Sequence, residues 1–183
     1  MRSWRVAIFA LSCVLLGGCL VTFKEPIPAN EAAPLELLGD WQRTDDWGEQ
    51  QYLSISRAGS NLYSARVWGG NAGQAVEERH DFTVSHHGRR WYMSAGLPKR
   101  LGGNFAIVGF ELTADDELVI YNLDVEHILQ EVDRGVLQGQ PAEMPEGEAV
   151  LITSPLDQVF GYLDDPANAD VFVEVARYRQ HNE

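Results

Sequence analysis

Cysteine is nearly absent from this chain of 183 residues, which contains only Cys13 and Cys19. Both lie within the first twenty residues, so the rest of the chain cannot form an intramolecular disulfide bond. The same absence excludes a cysteine nucleophile and a cysteine metal site there. A fold built from residues 19–183 must therefore be stabilised by burial of apolar side chains, and this length is sufficient for one domain with a substantial core.

Basic residues are also scarce, with 14 Lys and Arg against 27 Asp and Glu and a formal net charge of −13. A charge of this sign disfavours binding to nucleic acid, to lipopolysaccharide phosphates or to anionic headgroups by general attraction. Basic partners and divalent cations remain open, although a solvated acidic surface is the simpler interpretation.

The common catalytic motifs are missing. The chain has no Gly-x-Ser-x-Gly, no Ser-x-x-Lys and no His-Glu-x-x-His sequence. Gly102-Gly103 and Gly109 do not form a phosphate-binding loop, because no lysine follows and a strand comes next. No catalytic residue, cofactor site or metal ligand is predicted.

No apolar run is long enough to cross a membrane as a helix. The longest, Val6–Leu16, has eleven residues, whereas a membrane span needs about 20. Arg2 and Arg5 precede it, and Gly17-Gly18 follow it directly before Cys19. Positive charge, an apolar segment and small residues in this order are typical of a secretory signal peptide.

The sequence Leu16-Gly17-Gly18-Cys19 resembles the lipobox of bacterial lipoproteins. The resemblance implies a signal peptide over residues 1–18, cleavage before Cys19, and lipid attachment at Cys19 with acylation of the new amino group. The mature chain would keep 12 basic and 27 acidic residues, a net charge of −15. Leu20, in place of an aspartate after the cysteine, resembles the pattern exported to the outer membrane in enteric bacteria. The expected location is therefore the periplasmic face of the outer membrane; the alternative is an ordinary signal peptide with a chance cysteine.

The segment after Cys19 is predicted to be a tether over residues 19–34. Val21–Pro34 contains Pro26, Pro28 and Pro34 and shows no apolar period. A polyproline-like chain rises about 3.1 Å per residue, so this segment would reach roughly 40 Å. The single domain is then expected over residues 35–183.

Short apolar segments separated by turn residues begin at Leu37. Their length and alternation, without intervening helices, predict an antiparallel meander, with hairpin turns at residues 58–61, 86–88 and 114–117. The fold class is mainly β: a curved sheet or small barrel of about 8–9 strands with two short helices. The predicted strands are Leu37–Arg43, Tyr52–Arg57, Leu62–Trp68, Glu78–Ser85, Arg90–Ala95, Phe105–Thr113, Leu118–Asn122 and Val171–Tyr178.

Two helices are predicted late in the chain. The first has Asn122 or Asp124 as its N-cap and Gly135 as its end. The second has Ser154 as its N-cap and Pro155 at its first helical position. The intervening residues 138–147, rich in Gly, Pro and Glu, are predicted to form a surface loop.

Two further resemblances concern the fold. Gly39-Asp40-Trp41 is similar to the Gly-x-Trp of lipocalins, which implies a tryptophan packed across a barrel floor, with Arg177 or Arg179 against it. The layout of the whole mature chain resembles uncharacterised small lipoproteins of Gram-negative bacteria, a set with no assigned activity. The pieces of that layout are Gly39-Asp40-Trp41, Trp91-Tyr92-Met93, Phe110-Glu111-Leu112, Gly135-Val136-Leu137-Gln138-Gly139, Ser154-Pro155-Leu156-Asp157 and Tyr178-Arg179.

Several clusters of polar residues are candidate ligand sites. His80 and His86 should share one face of a strand, with His87 on the other, and His127 and His181 would join them only through tertiary structure. The simpler interpretation is a polar turn at His86-His87-Gly88 and a surface His80. The acidic groups are interpreted as turns, because their spacing does not match a calcium loop. These groups are Asp45-Asp46 with Glu49, Asp115-Asp116-Glu117, and Asp164-Asp165-Pro166-Ala167-Asn168-Ala169-Asp170.

Eight aromatic residues fall within the predicted sheet. They are interpreted mainly as core, with a pocket for an apolar or sugar-like ligand as the alternative. They are Trp41, Trp47, Tyr52, Tyr63, Trp68, Trp91, Tyr92 and Phe110.

The expected function is that of a non-enzymatic envelope lipoprotein, held at the membrane by lipid on Cys19 and acting through a protein partner. The alternative is a lipocalin-like carrier of a hydrophobic envelope molecule. A hydrolase with a carboxylate pair is a third hypothesis, but no pair of acidic residues stands out.

Overall fold

The computed structural model describes residues 20–69, 76–144 and 147–181, so Cys19 lies outside the described residues. The described chain forms two helices, α1 (Val125–Asp133) and α2 (Leu156–Leu163), and short 3-10 turns at Leu35–Leu37, Lys99–Leu101 and Pro166–Val171. It also forms eleven strands, namely β1 (Leu20–Phe23), β2 (Gly39–Thr44), β3 (Gln50–Gly59), β4 (Leu62–Gly69), β5 (Val76–His87), β6 (Arg90–Gly96), β7 (Phe105–Leu112), β8 (Glu117–Leu123), β9 (Gly139–Met144), β10 (Gly147–Ile152) and β11 (Phe172–Gln180).

Eight of these strands close into an antiparallel barrel. Strands β2 to β8 pair in sequence order, and β11 pairs with β8 on one side and with β2 on the other. Because β2 is paired on both sides, the barrel has no free edge among its eight strands. This arrangement confirms the predicted β-rich barrel with two short helices.

Alternation along the strands places one face of each strand inside the barrel. The inner face is apolar and closely packed, whereas most of the intervening residues are polar and lie outside. Its buried members are Trp41, Leu53, Ile55, Tyr63, Phe82, Val84, Phe110, Leu118, Ile120, Ala176 and Tyr178.

A second sheet element extends from the barrel wall and was not predicted. β1 pairs in parallel with β10 and in antiparallel fashion with the first two residues of β7. β10 also pairs in antiparallel fashion with β9, the strand before it in the chain, and β9 is the last strand of the sheet on this side. The prediction of a surface loop over residues 138–147 is therefore wrong. This hairpin could not be predicted from local sequence for two reasons. Pro141 argues against a strand, although a strand at the edge of a sheet can contain proline. The other partner of β10 is β1, which is more than 120 residues away in the sequence.

The prediction of a tether over residues 19–34 is also wrong for its described part. All four residues of β1 are buried, and Thr22 Oγ1 donates a hydrogen bond to the Val150 carbonyl at 3.1 Å. Ile27 and Ala33 are buried as well. The prolines of this segment predicted an extended linker. Its apolar residues are buried instead, because the folded barrel provides an apolar surface against which they pack.

The two helices pack on the outside of the barrel. A second core cluster joins them to β1, β10 and the outer faces of β6 and β7; it includes Tyr92, Ile107, Ile128, Val150 and Phe160. The helices therefore cover part of the barrel wall and leave the barrel interior to the strands.

The helix ends match the sequence signals in one case and not in the other. The Asp124 carboxylate accepts a hydrogen bond from the His127 N–H at 3.0 Å and caps α1, and Gly135 follows the helix with φ of +75°. Both features confirm the prediction. Ser154 is not the N-cap of α2, because Pro155 holds that position and the Ser154 hydroxyl accepts from the Gln138 N–H instead.

Within the described part of the chain, no helix has the length and apolar character needed to cross a membrane.

Candidate binding site at the open end of the barrel

One end of the barrel is closed by the chain that precedes β2. The Ala33 N–H donates to the Tyr63 hydroxyl at 2.8 Å, and the Thr83 hydroxyl donates to the Ile27 carbonyl. The Glu31 carboxylate accepts from the Ser85 hydroxyl and from the His86 N–H. The bonds to Thr83 and Ser85 hold residues 27–31 against the outer face of β5, and the chain then crosses the barrel end at Ala33, which we call the closed end.

Trp41 forms the floor of the barrel just inside this end. It is 2% exposed, and its indole N–H donates to the Leu37 carbonyl at 3.1 Å. The expectation that Arg177 or Arg179 packs against it is wrong, because both guanidinium groups lie outside and bind Glu117. Tyr178, between them, is the residue whose side chain enters the barrel, as strand alternation requires.

At the opposite end, which we call the open end, several inner-wall side chains of the described chain are partly exposed, whereas Leu101 in the β6–β7 connection at that end is buried. Val67, Met93, Ala95, Val108 and Val175 pack against the inner core but are only partly buried. Side chains that point into a closed barrel contact water only through one of its ends. Midway along the barrel, Phe82, Val84 and Phe110 are buried on the same inner wall, while Trp91 and Leu112 near the closed end are again partly buried.

Charged and polar side chains stand among these apolar residues on β2 and β3. Arg43 Nε donates to Gln51 Oε1 at 2.7 Å, and Arg43 Nη1 donates to the Val175 carbonyl at 3.3 Å. The Arg43 guanidinium also lies 5.2 Å from the centre of the Tyr178 ring. Gln51 in turn donates to Asp45 at 3.1 Å. This network fixes the Arg43 guanidinium at the inner wall.

A second polar pair lies on the same inner face, on β5. Glu78 is opposite Val67 and His80 is opposite Ala65 in the strand register, so both side chains share the inner face. His80 Nε2 is 3.2 Å from Glu78 Oε2, and the His80 side chain is 32% exposed. His80 was predicted to be a surface residue, but the structure places it at the open end of the interior.

The other histidines do not join this pair. His86 shares the face of His80, as predicted, and contacts the Trp91 ring near the closed end. His87 points outwards and stacks on Phe160 of α2, with ring centres 3.7 Å apart. Among the described residues, no three His, Cys, Asp or Glu side chains are placed to hold a metal ion.

The acidic clusters lie at turns, as predicted. Asp45 accepts from the backbone N–H groups of Trp47 and Glu49 and so stabilises the β2–β3 turn. Asp116 occupies a turn position with φ of +56°, and Asp165 accepts from the Ala167 N–H.

The aromatic residues divide between core and surface. The core interpretation is confirmed for three of them inside the barrel and for Tyr92 between the barrel and α2. Tyr52 and Trp68 instead stack on each other on the outer wall, and Trp47 is 64% exposed at the β2–β3 turn. The three residues buried within the barrel are Trp41, Tyr63 and Phe110.

Sequence reasoning missed Arg43, Gln51 and Glu78 as members of a site. The signal was present in the alternation, because Arg43 follows Trp41 by two positions and Glu78 precedes His80 by two. What the alternation could not show was which end of the barrel is open.

A scan against protein-family models, a search of curated proteins and a search of solved structures each find no match for this chain.

Proposed function

We propose that this chain is a non-enzymatic envelope lipoprotein whose barrel binds a small amphipathic molecule through its open end. The supporting observation is the partial exposure of inner-wall side chains at that end, where apolar residues stand beside Arg43, Glu78 and His80. Binding sites for small molecules commonly combine an apolar concave wall with a few polar groups. The carrier hypothesis is therefore favoured over action through a protein partner.

The residues at the open end indicate the class of ligand. Val67, Val108 and Val175 offer an apolar wall for a hydrocarbon or ring system. Arg43 offers a cation held by Gln51, and an anionic or strongly polar group is the natural counterpart of a guanidinium. The ligand is proposed to enter with its apolar part first and to keep its polar group at the open end.

Native mass spectrometry of protein purified without detergent tests this proposal directly. The expected result is a bound small molecule that is lost when Val108→Trp narrows the interior. Ser56→Trp, on the exposed outer face of β3, is the matched control and should retain the ligand. An unliganded mass after challenge with several lipids, or equal binding by both variants at equal thermal stability, would contradict the proposal.

The lipid anchor is supported by Leu16-Gly17-Gly18-Cys19 and is tested separately. Cys19→Ala is expected to abolish palmitate labelling and to cause the uncleaved precursor to accumulate. Normal processing and membrane retention of that variant would show that Cys19 is not the anchor.

A protein partner is the second candidate function, and one observation favours it. Trp47 is 64% exposed at the tip of the β2–β3 turn, and exposed tryptophans are frequent in protein interfaces. Crosslinking in the native envelope, followed by identification of the joined protein, tests this. The product is expected to be lost in Trp47→Ala and retained in Leu35→Ala, which removes another exposed apolar side chain at the opposite end.

A further inference from the structure

Arg43 lies inside the barrel without a carboxylate partner. Its side chain is partly buried, and it forms no ion pair with any residue that the structure describes. Arginines outside the barrel differ, because Arg66, Arg134 and Arg177 each bind a glutamate. A guanidinium keeps its proton in proteins, so a partly buried one without a counter-charge costs free energy. The positive charge of Arg43 is therefore uncompensated at short range.

The partners that do contact Arg43 are all neutral. Nε donates to Gln51 Oε1 at 2.7 Å, Nη1 donates to the Val175 carbonyl at 3.3 Å, and the Tyr178 ring lies 5.2 Å from the guanidinium carbon. A guanidinium presents five N–H donors in a planar fork. Two of them are used here, so the other three, including both donors of Nη2, have no acceptor among the described residues. An oxyanion is the acceptor that such a fork binds most strongly.

Two acidic side chains of this region bind other groups instead of Arg43. Asp45 accepts from two backbone N–H groups of its own turn with one oxygen, and from Gln51 Nε2 with the other. Glu78, on the inner face of β5, lies 3.2 Å from His80 Nε2. Neither carboxylate reaches the guanidinium, although the chain contains 27 Asp and Glu residues.

Gln51 separates the guanidinium from the nearest of these carboxylates. It is 8% exposed, its amide oxygen accepts from Arg43, and its amide nitrogen donates to Asp45. This orientation is fixed, because a guanidinium can only donate hydrogen bonds and a carboxylate can only accept them. A glutamate of nearly the same shape would neutralise Arg43, whereas the neutral amide holds it in place and leaves its charge uncompensated.

We infer that the barrel selects an anionic amphiphile, whose carboxylate or phosphate binds the Nη groups of Arg43, and that Gln51 is the positioning residue for this cation. The inference rests on the proposed function and narrows its ligand to molecules with an oxyanion at one end of an apolar body. Val175 joins the two parts of the site, because its carbonyl holds Arg43 and its side chain belongs to the apolar inner wall. The apolar body is placed along that wall, beside Val67 and Val108.

Isothermal titration calorimetry with decanoate, decyl phosphate and decanol at neutral pH tests the charge of the ligand. The three probes share one alkyl chain, and the two anions are expected to bind about tenfold or more tightly than decanol. The tighter anion identifies the ligand group as a carboxylate or a phosphate. Equal affinity for all three would overturn the inference while binding by the barrel stands.

A protein that binds none of the three probes is judged by the molecule found with it in native mass spectrometry. An anionic molecule there supports the inference, and a neutral one overturns it. A protein without any bound molecule overturns the proposed function and the inference together.

An exchange of carboxylate and amide tests the role of Arg43 and Gln51. Asp45→Asn combined with Gln51→Glu moves the negative charge next to Arg43 and keeps the total charge and the hydrogen-bonding pattern of the network. Affinity for the two anions should fall by about tenfold or more, while affinity for decanol stays the same. Asp46→Asn combined with Gln50→Glu makes the same exchange at exposed positions of the same turn and should keep the preference for anions.

Thermal unfolding shows whether the exchanged variant is folded. A folded variant that still prefers the anions would overturn the inference. Should it fail to fold, Arg43→Met gives the same comparison, with decanol bound and the preference for anions lost. A preference that persists in Arg43→Met would overturn the inference as well.

Discussion

The Tyr63 hydroxyl, at a position with no solvent exposure, accepts a hydrogen bond from the Ala33 N–H at 2.8 Å. Tyr63 belongs to the barrel wall, and Ala33 belongs to the chain that crosses the closed end. The bond therefore ties the first described part of the chain to the interior of the barrel.

Removal of that hydroxyl is expected to destabilise the protein. Tyr63→Phe leaves the Ala33 N–H without its partner in a buried place, which costs about 1–3 kcal/mol in free energy of unfolding. Urea denaturation followed by circular dichroism measures this loss. Tyr52→Phe, on the partly exposed outer wall, is the control and should change stability far less. Equal effects of the two variants would show that the closed end does not depend on this bond.

Two glycines are predicted to respond in opposite directions to replacement by alanine. A Cβ at Gly139 in β9 would lie 2.7 Å from the Leu151 carbonyl oxygen, so Gly139→Ala should destabilise the fold by about 1–3 kcal/mol. A Cβ at Gly161 in α2 would meet no atom within 4 Å. Gly161→Ala should therefore stabilise the protein by up to about 1 kcal/mol through helix propensity. Thermal unfolding of both variants beside the wild type checks the two signs.

The stability of the protein should fall at strongly alkaline pH, because two buried tyrosines then ionise. Burial raises the pKa of Tyr162 to about 12, with the nearby Glu131 carboxylate adding to the shift. Burial also raises the pKa of Tyr92. A tyrosine whose pKa is higher in the folded state than in the unfolded state favours folding. This stabilisation is complete below the ordinary tyrosine pKa of about 10, and it is lost as the pH rises through the folded-state pKa. Ultraviolet titration should show both tyrosines ionising at a higher pH than an ordinary tyrosine.

Tyr162→Phe separates ionisation from packing. The Tyr162 hydroxyl is buried and has no hydrogen-bond partner in the described structure, so its removal should cost little at neutral pH. The variant is expected to lose less stability than the wild type between neutral and strongly alkaline pH. A parallel loss in both proteins would contradict a role for Tyr162 ionisation.

Acidic pH should weaken the contact between β8 and β11. Hydrogen bonding from Arg177, with a smaller contribution from Arg179, lowers the pKa of Glu117. The stabilisation that ionised Glu117 contributes is therefore fully present above the ordinary glutamate pKa. It is lost as the pH falls through the lowered pKa of Glu117 in the folded state. Glu117→Gln should reduce the acid sensitivity of unfolding, whereas Glu36→Gln, exposed at the closed end, should leave it unchanged. Chemical denaturation at a series of acidic pH values compares the variants.

Local sequence signals predicted the barrel strands well. Segments such as Leu62–Trp68 alternate apolar and polar residues between clear turns, and that pattern depends only on near neighbours. Asp124 and Gly135 likewise mark the ends of α1 through interactions within one helical turn. Ser154 was misassigned because its hydroxyl has a better partner, the Gln138 N–H, from another part of the chain.

Long-range partners explain what the sequence could not predict. Leu20 is paired with Ala149, and neither segment carries a clear strand pattern of its own. The same applies to the site residues. Alternation along each strand predicts that Arg43 shares a face with Trp41 and that His80 shares a face with Phe82. Only closure of the barrel brings the faces of these two strands together in one interior. The chain crossing at Ala33 then decides which end is closed.

The sequence by itself determined the acidic composition, the absence of cysteine after Cys19, the order of the barrel strands and their inward faces, because these follow from residue identity and local alternation. Only the tertiary structure decided that β2 and β11 close the barrel, that β1 and the β9–β10 hairpin extend its wall, and that residues 33–37 close one end. These features depend on contacts between residues far apart in sequence, and such contacts form only when the burial of apolar surface compensates the entropy of closing long loops.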